Sequence, residues 1–355
     1  MFGWLPNYAQ AVCARQSAPA HVMNLLAVFL LFAPMALALH SGGLAPWRPL
    51  NDNNKVPSFG LGTWLGFSDK GRVEPQGHEV EDAVAWAIDA GYRHIDTAHI
   101  YDTEDQVGRA IKKKIDDGTV KREDLFVTTK LWNDAHAREA VEPALRRSLQ
   151  KLGLKYIDLY LIHWPVGTYA NNSFDSTDYV DTWQGMIAAK EKGLTRSIGV
   201  SNFNQQQLER LIKASNVKPA MLQVELNLNL QQPSLLAYCR SQDILVTAYT
   251  PFGSLFPSKA KPDAPPPRVD DPELVSIAGK YNKTVPQIAL RYLWELGVTP
   301  IPKSTTRSRI EQNIQVFDFE LSAEERQKVA AFDRGYRSFD IKGQRDSPHY
   351  PFEKN

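Results

Sequence analysis

A chain of 355 residues with 41 basic and 40 acidic side chains has a formal net charge of +1. It projects no field of one sign, which argues against nucleic acid as its main partner. Hydrophobic residues make up 43% and charged ones 23%, a balance that gives a globular protein a sizeable core, in one large α/β barrel or two ordinary domains.

Two cysteines, Cys13 and Cys239, are too few for a disulfide framework. Neither a Cys-x-x-Cys pair nor a His/Cys cluster suggests a metal, so no structural metal and no essential disulfide are expected. Residues 22–39 form a strongly apolar run that ends at Ala36-Leu37-Ala38 and Ser41-Gly42-Gly43, the pattern of a signal peptide and its cleavage site. Against this, the only lysine or arginine before the run is Arg15, and Pro34 leaves an uninterrupted core short for a membrane span. Met23 is an alternative start. Residues 1–45 are therefore read as a leader, either a signal peptide or anchor or an unstructured segment without consequence. The sequons Asn171-Asn172-Ser173 and Asn282-Lys283-Thr284 matter only if the chain enters the secretory route.

From Leu50 onward no linker or composition shift divides the chain, so residues 50–355 are read as one domain. Residues 51–57 look like a small hairpin capping a barrel floor. Short apolar, β-branched runs follow at 59–63, 92–96, 125–130, 157–163, 197–201, 221–225, 245–249 and 298–302. Runs of this kind alternating with helical patterns read as parallel strands in βα units. In the first helical pattern Val80, Ala83, Val84, Ala87 and Ile88 make one apolar stripe, and Gly91 stands where a C-cap glycine belongs. Later helices start at Glu104, His136, Asp178, Asn204, Pro233, Pro272, Val285, Thr306 and Ser322. Eight repeats with two extra helices near the end specify an α/β fold, a (β/α)₈ TIM barrel. Two long connections, 165–178 and the proline-rich, helix-free 252–271, have the length of functional lids.

Asp96, Lys130 and His163 each end one of these runs, and Tyr101 lies five residues past the first. At the carboxyl ends of barrel strands such side chains converge on one mouth, where they form a proton-handling site. Singly each has a plain explanation: a buried ion pair, a satisfied core histidine, a packed tyrosine. Lys112-Lys113-Lys114, the densest basic run, sits in a helical pattern and reads as a solvated face. A Rossmann reading fails, because Gly60-x-Gly62-x-x-x-Gly66 has the wrong spacing and no helix start follows it.

Several segments together carry a family resemblance: Gly60-Leu61-Gly62-Thr63-Trp64, Gly91-Tyr92-Arg93-His94-Ile95-Asp96-Thr97-Ala98, Lys130-Leu131-Trp132 and Leu161-Ile162-His163-Trp164-Pro165. They continue with Ile198-Gly199-Val200-Ser201-Asn202-Phe203, Gln223-Val224-Glu225, Ala248-Tyr249-Thr250-Pro251 and Ile301-Pro302-Lys303-Ser304. With these motifs, in order and one per strand end, the chain resembles an aldo-keto reductase from Leu50 nearly to its end. The resemblance implies an NADPH-dependent oxidoreductase that reduces aldehydes and ketones, with Tyr101 as the acid. A tyrosine with a pKa near ~10 is a weak acid, and Lys130 beside it, held by Asp96, is expected to strengthen it. His163, neutral, is expected to orient the substrate oxygen.

The cofactor NADPH/NADP+ is then expected on Thr63, Trp64, Asp96, Ser201, Asn202, Gln223, Tyr249, Thr250, Pro251, Phe252, Ser254, Lys303, Ser304, Thr305, Arg309, Gln312 and Asn313. Within that set Tyr249 offers a ring face to the nicotinamide, and Lys303, Ser304 and Arg309 suit an adenosine 2′-phosphate. Trp64, Trp132 and Trp164, with Tyr101 and His163, are expected to wall a largely apolar substrate pocket, and residues 347–352 resemble the family's closing tail. The chain departs from the family at Gln312 and Thr103. It also carries Phe256 near the place where several relatives have an acid that pairs with the equivalent of Lys303, so faster NADP release is expected. The implied partner is a small carbonyl compound, the implied state a monomer and the implied compartment the cytoplasm. The secretory route or a membrane anchor through residues 22–39 is the alternative. A barrel that binds NADPH for a partner without catalysing is the rival function.

Overall fold

The computed structural model describes residues 45–68, 71–169 and 173–352; the apolar run 22–39, Cys13, Asn171 and Asn172 lie outside them. Eight parallel strands follow one another: β1 Leu61–Gly62, β2 His94–Asp96, β3 Phe126–Leu131, β4 Ile157–Ile162, β5 Thr195–Ser201, β6 Met221–Glu225, β7 Leu245–Tyr249 and β8 Thr299–Pro300. Every strand pairs with its sequence neighbour, from β1 through to β8. All six residues of β3 and all six of β4 are buried. One face fills the barrel and the other meets helices, which is why these strands read as continuous apolar runs without alternation.

The two ends of the sheet meet. Gly60 N donates to Pro300 O and Gly62 N to Pro302 O, each at 3.1 Å, and Gly62 bridges Lys303 in parallel register. A Cβ on Gly60 would lie 2.8 Å from His94 Nδ1, and one on Gly62 would lie 2.9 Å from Ile301 O. Glycine at both positions lets the seam close.

Ten helices accompany the strands among the described residues: α1 Glu79–Asp89, α2 Glu104–Asp116, α3 Arg138–Leu152, α4 Tyr179–Glu191, α5 Gln205–Ser215, α6 Pro233–Ser241, α7 Pro272–Tyr281, α8 Val285–Glu295, α9 Arg307–Asn313 and α10 Ala323–Ala330. The stripe expected on α1 is its buried face. Side chains of Asp178, Asn204, Asp271 and Ser322 cap four helix starts and satisfy otherwise orphaned amides; three of them marked the start in the sequence, and Asp271 precedes the expected Pro272. Helix α3 begins two residues later than expected, because 133–135 form a 3₁₀ turn first.

The floor hairpin is present as Trp47–Pro49 against Lys55–Pro57, and Arg48 ties it to the barrel through Val298 O at 2.8 Å and Trp294 O at 2.9 Å. Two small hairpins were not anticipated, Phe67–Ser68 with Gly71–Arg72 and Gly167–Thr168 with Phe174–Asp175. The connection 252–271 has no helix, as expected. Among the described residues no helix is long and apolar enough to cross a membrane.

Candidate active site

Strands β2 and β3 bring Asp96 and Lys130 to the same mouth, and His163 follows β4 directly. Tyr101 ends a 3₁₀ turn, His99–Tyr101, just past β2. The Lys130 ammonium is buried and donates three hydrogen bonds: to Asp96 Oδ1 at 2.6 Å, to Thr97 O at 3.0 Å and to the Tyr101 hydroxyl at 3.2 Å. An ammonium has three protons and no acceptor, so Lys130 is fully used. The Tyr101 oxygen must accept from it, which leaves the phenolic proton free for another group. Gln223 Nε2 donates to Asp96 Oδ2 at 2.7 Å, so both carboxylate oxygens are held.

Burial pushes the Asp96 carboxyl up and the Lys130 ammonium down, and their mutual contact opposes both shifts. Glu104, buried with Oε1 accepting from Thr129 Oγ1 at 2.7 Å, also supports the charged lysine. Tyr101 opens partly into the cleft yet is enclosed by protein, and burial, followed by the Asp96 charge, raises its phenol well above the usual tyrosine range. The net shift in the free protein is therefore upward, opposite to the expected one, although a cation in contact still favours the phenolate once it forms. Asp96 neutralises the ammonium, and desolvation sets the sign. Burial, then the Lys130 charge, holds His163 well below the ordinary imidazole value, so the ring is neutral, and its Nδ1 has no hydrogen-bond partner among the described residues.

The three expected tryptophans stand around these groups. Trp64 stacks on Tyr101 at 6.1 Å between ring centroids, and Trp132 meets His163 edge-on at 5.2 Å. Trp164 lies against Phe339 at 6.1 Å and Phe352 at 5.9 Å, so the terminal segment packs on this tryptophan. The sequence reading missed Phe339.

The expected cofactor residues fall into three groups. At the ends of β5 to β7, Tyr249 OH donates to Asn202 Oδ1 at 2.8 Å, while Asn202 Nδ2 donates to His163 O at 3.0 Å and Ser201 Oγ at 3.1 Å. These bonds fix the half-buried Tyr249 ring. Gln223 is engaged with Asp96, a role the sequence reading did not foresee. Thr63 belongs with this group but turns its hydroxyl inward, to Asp96 O at 3.0 Å.

In the lid, Thr250 adopts φ 47°, Pro251 and Ser254 are buried, and Phe252 packs edge-on against Phe256 at 5.5 Å. Past β8, Ser304 Oγ accepts from Thr306 N at 3.1 Å, Thr305 is exposed, and Arg309, Gln312 and the buried Asn313 lie on α9. Lys303 and Arg309 are exposed and form no ion pair among the described residues. Protein packed around Lys303, then the charge of Lys259 in the lid, lowers its ammonium; Glu79 acts in the opposite sense.

The comparisons with known proteins agree with this geometry. The sequence profile of the Aldo/keto reductase family matches residues 58–334. The chain is 52% identical over 307 residues to "Aldo-keto reductase AKR2E4" of Bombyx mori, covering 86% of this chain and 98% of that protein. It is 41% identical over 318 residues to "Prostaglandin F synthase 1" of Bos taurus, covering 86% and 97%. The crystal structure of the Bombyx mori AKR2E4 protein in complex with NADP superposes with a TM-score of 0.83, over 87% of this chain and 99% of that one, at 52% identity. That of aldo-keto reductase AKR2E5 complexed with NADPH gives 0.85, over 87% and 94%, at 43% identity. A closed eight-stranded barrel, four titratable side chains gathered at its mouth and a profile match across most of the barrel leave one assignment: this chain belongs to the aldo/keto reductase family.

Proposed function

We infer that the chain is an NADPH-dependent reductase of aldehydes and ketones, with Tyr101 as the proton donor. One observation carries the reading: Lys130 donates to the Tyr101 oxygen at 3.2 Å, which leaves the phenolic proton available to another group.

The residues present fit the cofactor that the two structural relatives contain. Two exposed cations in no ion pair among the described residues, Lys303 next to Ser304 in sequence and Arg309 on the helix that follows, suit a phosphate monoester. The fixed Tyr249 ring offers a stacking face, and Ser201, Asn202 and the free carbonyl of Gln223 suit a carboxamide. Bound NADPH supplies a hydride to the carbonyl carbon.

The protein's own groups handle the proton. Neutral His163 and the Tyr101 hydroxyl flank the place where a carbonyl oxygen is polarised, their rings 5.6 Å apart. As the oxygen gains charge, Tyr101 gives it the phenolic proton, and the phenolate left behind already accepts from Lys130. That ammonium–phenolate attraction exists only once the proton has moved, so it stabilises the transition state selectively. Tyr101 is later reprotonated from solvent. The high resting value of the phenol keeps it protonated at neutral pH, the state a proton donor needs. Trp64, Trp132 and Trp164 give the cleft an aromatic lining that favours uncharged aldehydes and ketones, which supports the aldehyde-reductase type.

The test follows NADPH absorbance with a panel of aldehydes, using wild type and Tyr101→Phe. Turnover that the substitution removes is the expected result. Tight NADPH binding with no turnover on any carbonyl would replace this reading with a non-catalytic nucleotide-binding barrel.

A further inference from the structure

Of the two small hairpins that the sequence did not announce, the one after β1 reaches the proton donor. Its strands pair Phe67 with Arg72 and Ser68 with Gly71, and Val73 N closes its base on Gly66 O at 2.9 Å. Gly66 at φ 95° and Gly71 at φ 107° take backbone shapes that side chains resist, so the chain turns out and back within a few residues. Arg72 meets the 3₁₀ turn that ends at Tyr101. Its Nη1 donates to Ile100 O, and its Nη2 donates to Asp102 Oδ2 at 2.5 Å. The two acceptors belong to the residues on either side of Tyr101. A planar guanidinium offers its donors in a fixed fork, which suits such a pair.

The turn's own bonds are modest: Tyr101 N donates to Ala98 O at 3.0 Å, and Asp102 N to His99 O at 3.4 Å. Asp102 adopts φ 53°, a left-handed backbone that costs energy at any residue with a side chain. Two other charged side chains face the segment at longer range, Lys151 Nζ at 3.8 Å from Asp102 Oδ1 and Glu104 Oε2 at 3.7 Å from His99 Nδ1. The same hairpin also supports the Tyr101 ring. Phe67 packs edge-on against Trp64 at 5.2 Å, and Trp64 stacks on Tyr101 at 6.1 Å.

We propose that Arg72 is a positioning residue for the proton donor: by bracketing Tyr101 it fixes the turn, and so sets where the phenol stands relative to Lys130 and a substrate oxygen. The proposal deepens the carbonyl-reductase reading and rests on it. The Arg72–Asp102 pair is partly open to water, with side-chain exposures of 28% and 47%, so it adds little to global stability. Misplacing a reacting group by about 1 Å, in contrast, costs about 10²-fold in rate. Arg72 therefore matters far more to turnover than to melting, the reverse of what a structural ion pair does.

Two variants of the full chain test it. Arg72→Met removes both donors; Arg72→Lys keeps the charge but lacks the fork that serves two acceptors. With a small aromatic aldehyde, kcat falls at least roughly tenfold in Arg72→Met, and Arg72→Lys recovers only part of the loss. NADPH affinity, read from quenching of tryptophan fluorescence, stays within about twofold, and the melting temperature within about 2 °C. A further readout needs no turnover: amide hydrogen exchange at Tyr101 and Asp102 becomes at least roughly tenfold faster in Arg72→Met. A kcat within about twofold of wild type in Arg72→Met overturns the positioning role, and so does full recovery by Arg72→Lys. A loss of turnover matched by the loss of NADPH affinity, or by melting more than about 5 °C lower, overturns it in favour of a structural role. Unchanged exchange overturns the bracket around Tyr101. Wild-type protein that reduces no carbonyl defeats the reductase reading instead, and the exchange readout still decides whether Arg72 holds the turn.

Discussion

Asp96→Asn removes the carboxylate from a lysine side chain that has no solvent exposure and lies 2.6 Å from it. Breaking one partner out of a buried pair costs about 3–5 kcal/mol, because the remaining charge stays in a low dielectric. The lysine can escape by shedding its proton. From an ordinary value near ~10.4 this costs about 1.4 kcal/mol per pH unit, or ~4.6 kcal/mol at about pH 7. The two routes agree in size. At about 2 °C per kcal/mol for a large domain, the melting temperature falls by roughly 6–10 °C.

The pH dependence has a definite sign. In the variant the folded-state value of Lys130 lies far below the unfolded one, so below ~10.4 the unfolded chain binds a proton that the folded chain does not. Stability of the variant then rises with pH, by up to ~2.7 kcal/mol between about pH 7 and about pH 9. Adding Lys130→Met removes the stranded ammonium and restores stability without restoring turnover. Thermal unfolding of wild type, the single and the double variant at both pH values reads all of this. A single variant that melts within about 2 °C of wild type would refute the argument. So would one that weakens as pH rises, or a double variant less stable than the single.

Acid should destabilise the wild-type protein early. Burial is the first cause that holds His94 at about 3, His136 at about 4 and His163 well below its ordinary value, so all three stay neutral when folded. As pH falls below ~6.5 the unfolded chain takes up three protons that the folded chain refuses, so stability drops by up to ~4 kcal/mol per pH unit. Urea unfolding that is flat between about pH 8 and about pH 5.5 would contradict this. Lys303→Met and Arg309→Ala should each weaken NADPH binding by roughly 10- to 100-fold while leaving NADH nearly untouched, the size of a charge-assisted hydrogen bond. Equal losses for both nucleotides would move the phosphate site elsewhere. NADP release should be faster than in relatives whose lid acid clamps the lysine, because Phe256 here packs on Phe252 and the lid brings Lys259 towards Lys303. Stopped-flow release no faster than theirs would count against that.

The barrel was legible in the sequence because its central strands are buried on both faces and its helix starts carry capping side chains. Asp96, Lys130 and His163 were legible for a related reason: each interrupts or ends an apolar run at a strand's carboxyl end. The two extra hairpins have strands of two residues each, too short for any period to register. Glu225 and Phe339 meet across 114 positions of chain, and a single aromatic in an irregular loop has no periodic neighbour to announce it. The sign of the Tyr101 shift was misread because tyrosine and lysine were weighed as a pair. Burial and Asp96 decide it, and both require the folded arrangement.

The most direct test replaces the Tyr101 phenol by a site-specifically incorporated fluorotyrosine, a more acidic phenol of nearly the same shape. The measurement is the alkaline limb of kcat/KM for aldehyde reduction. In the wild-type protein the raised phenol keeps activity level through about pH 9, since loss requires deprotonation. The limb should move down in the variant by the interval that separates free fluorotyrosine from tyrosine. A limb that stays in place while the variant still turns over would show that the transferred proton comes from some other group.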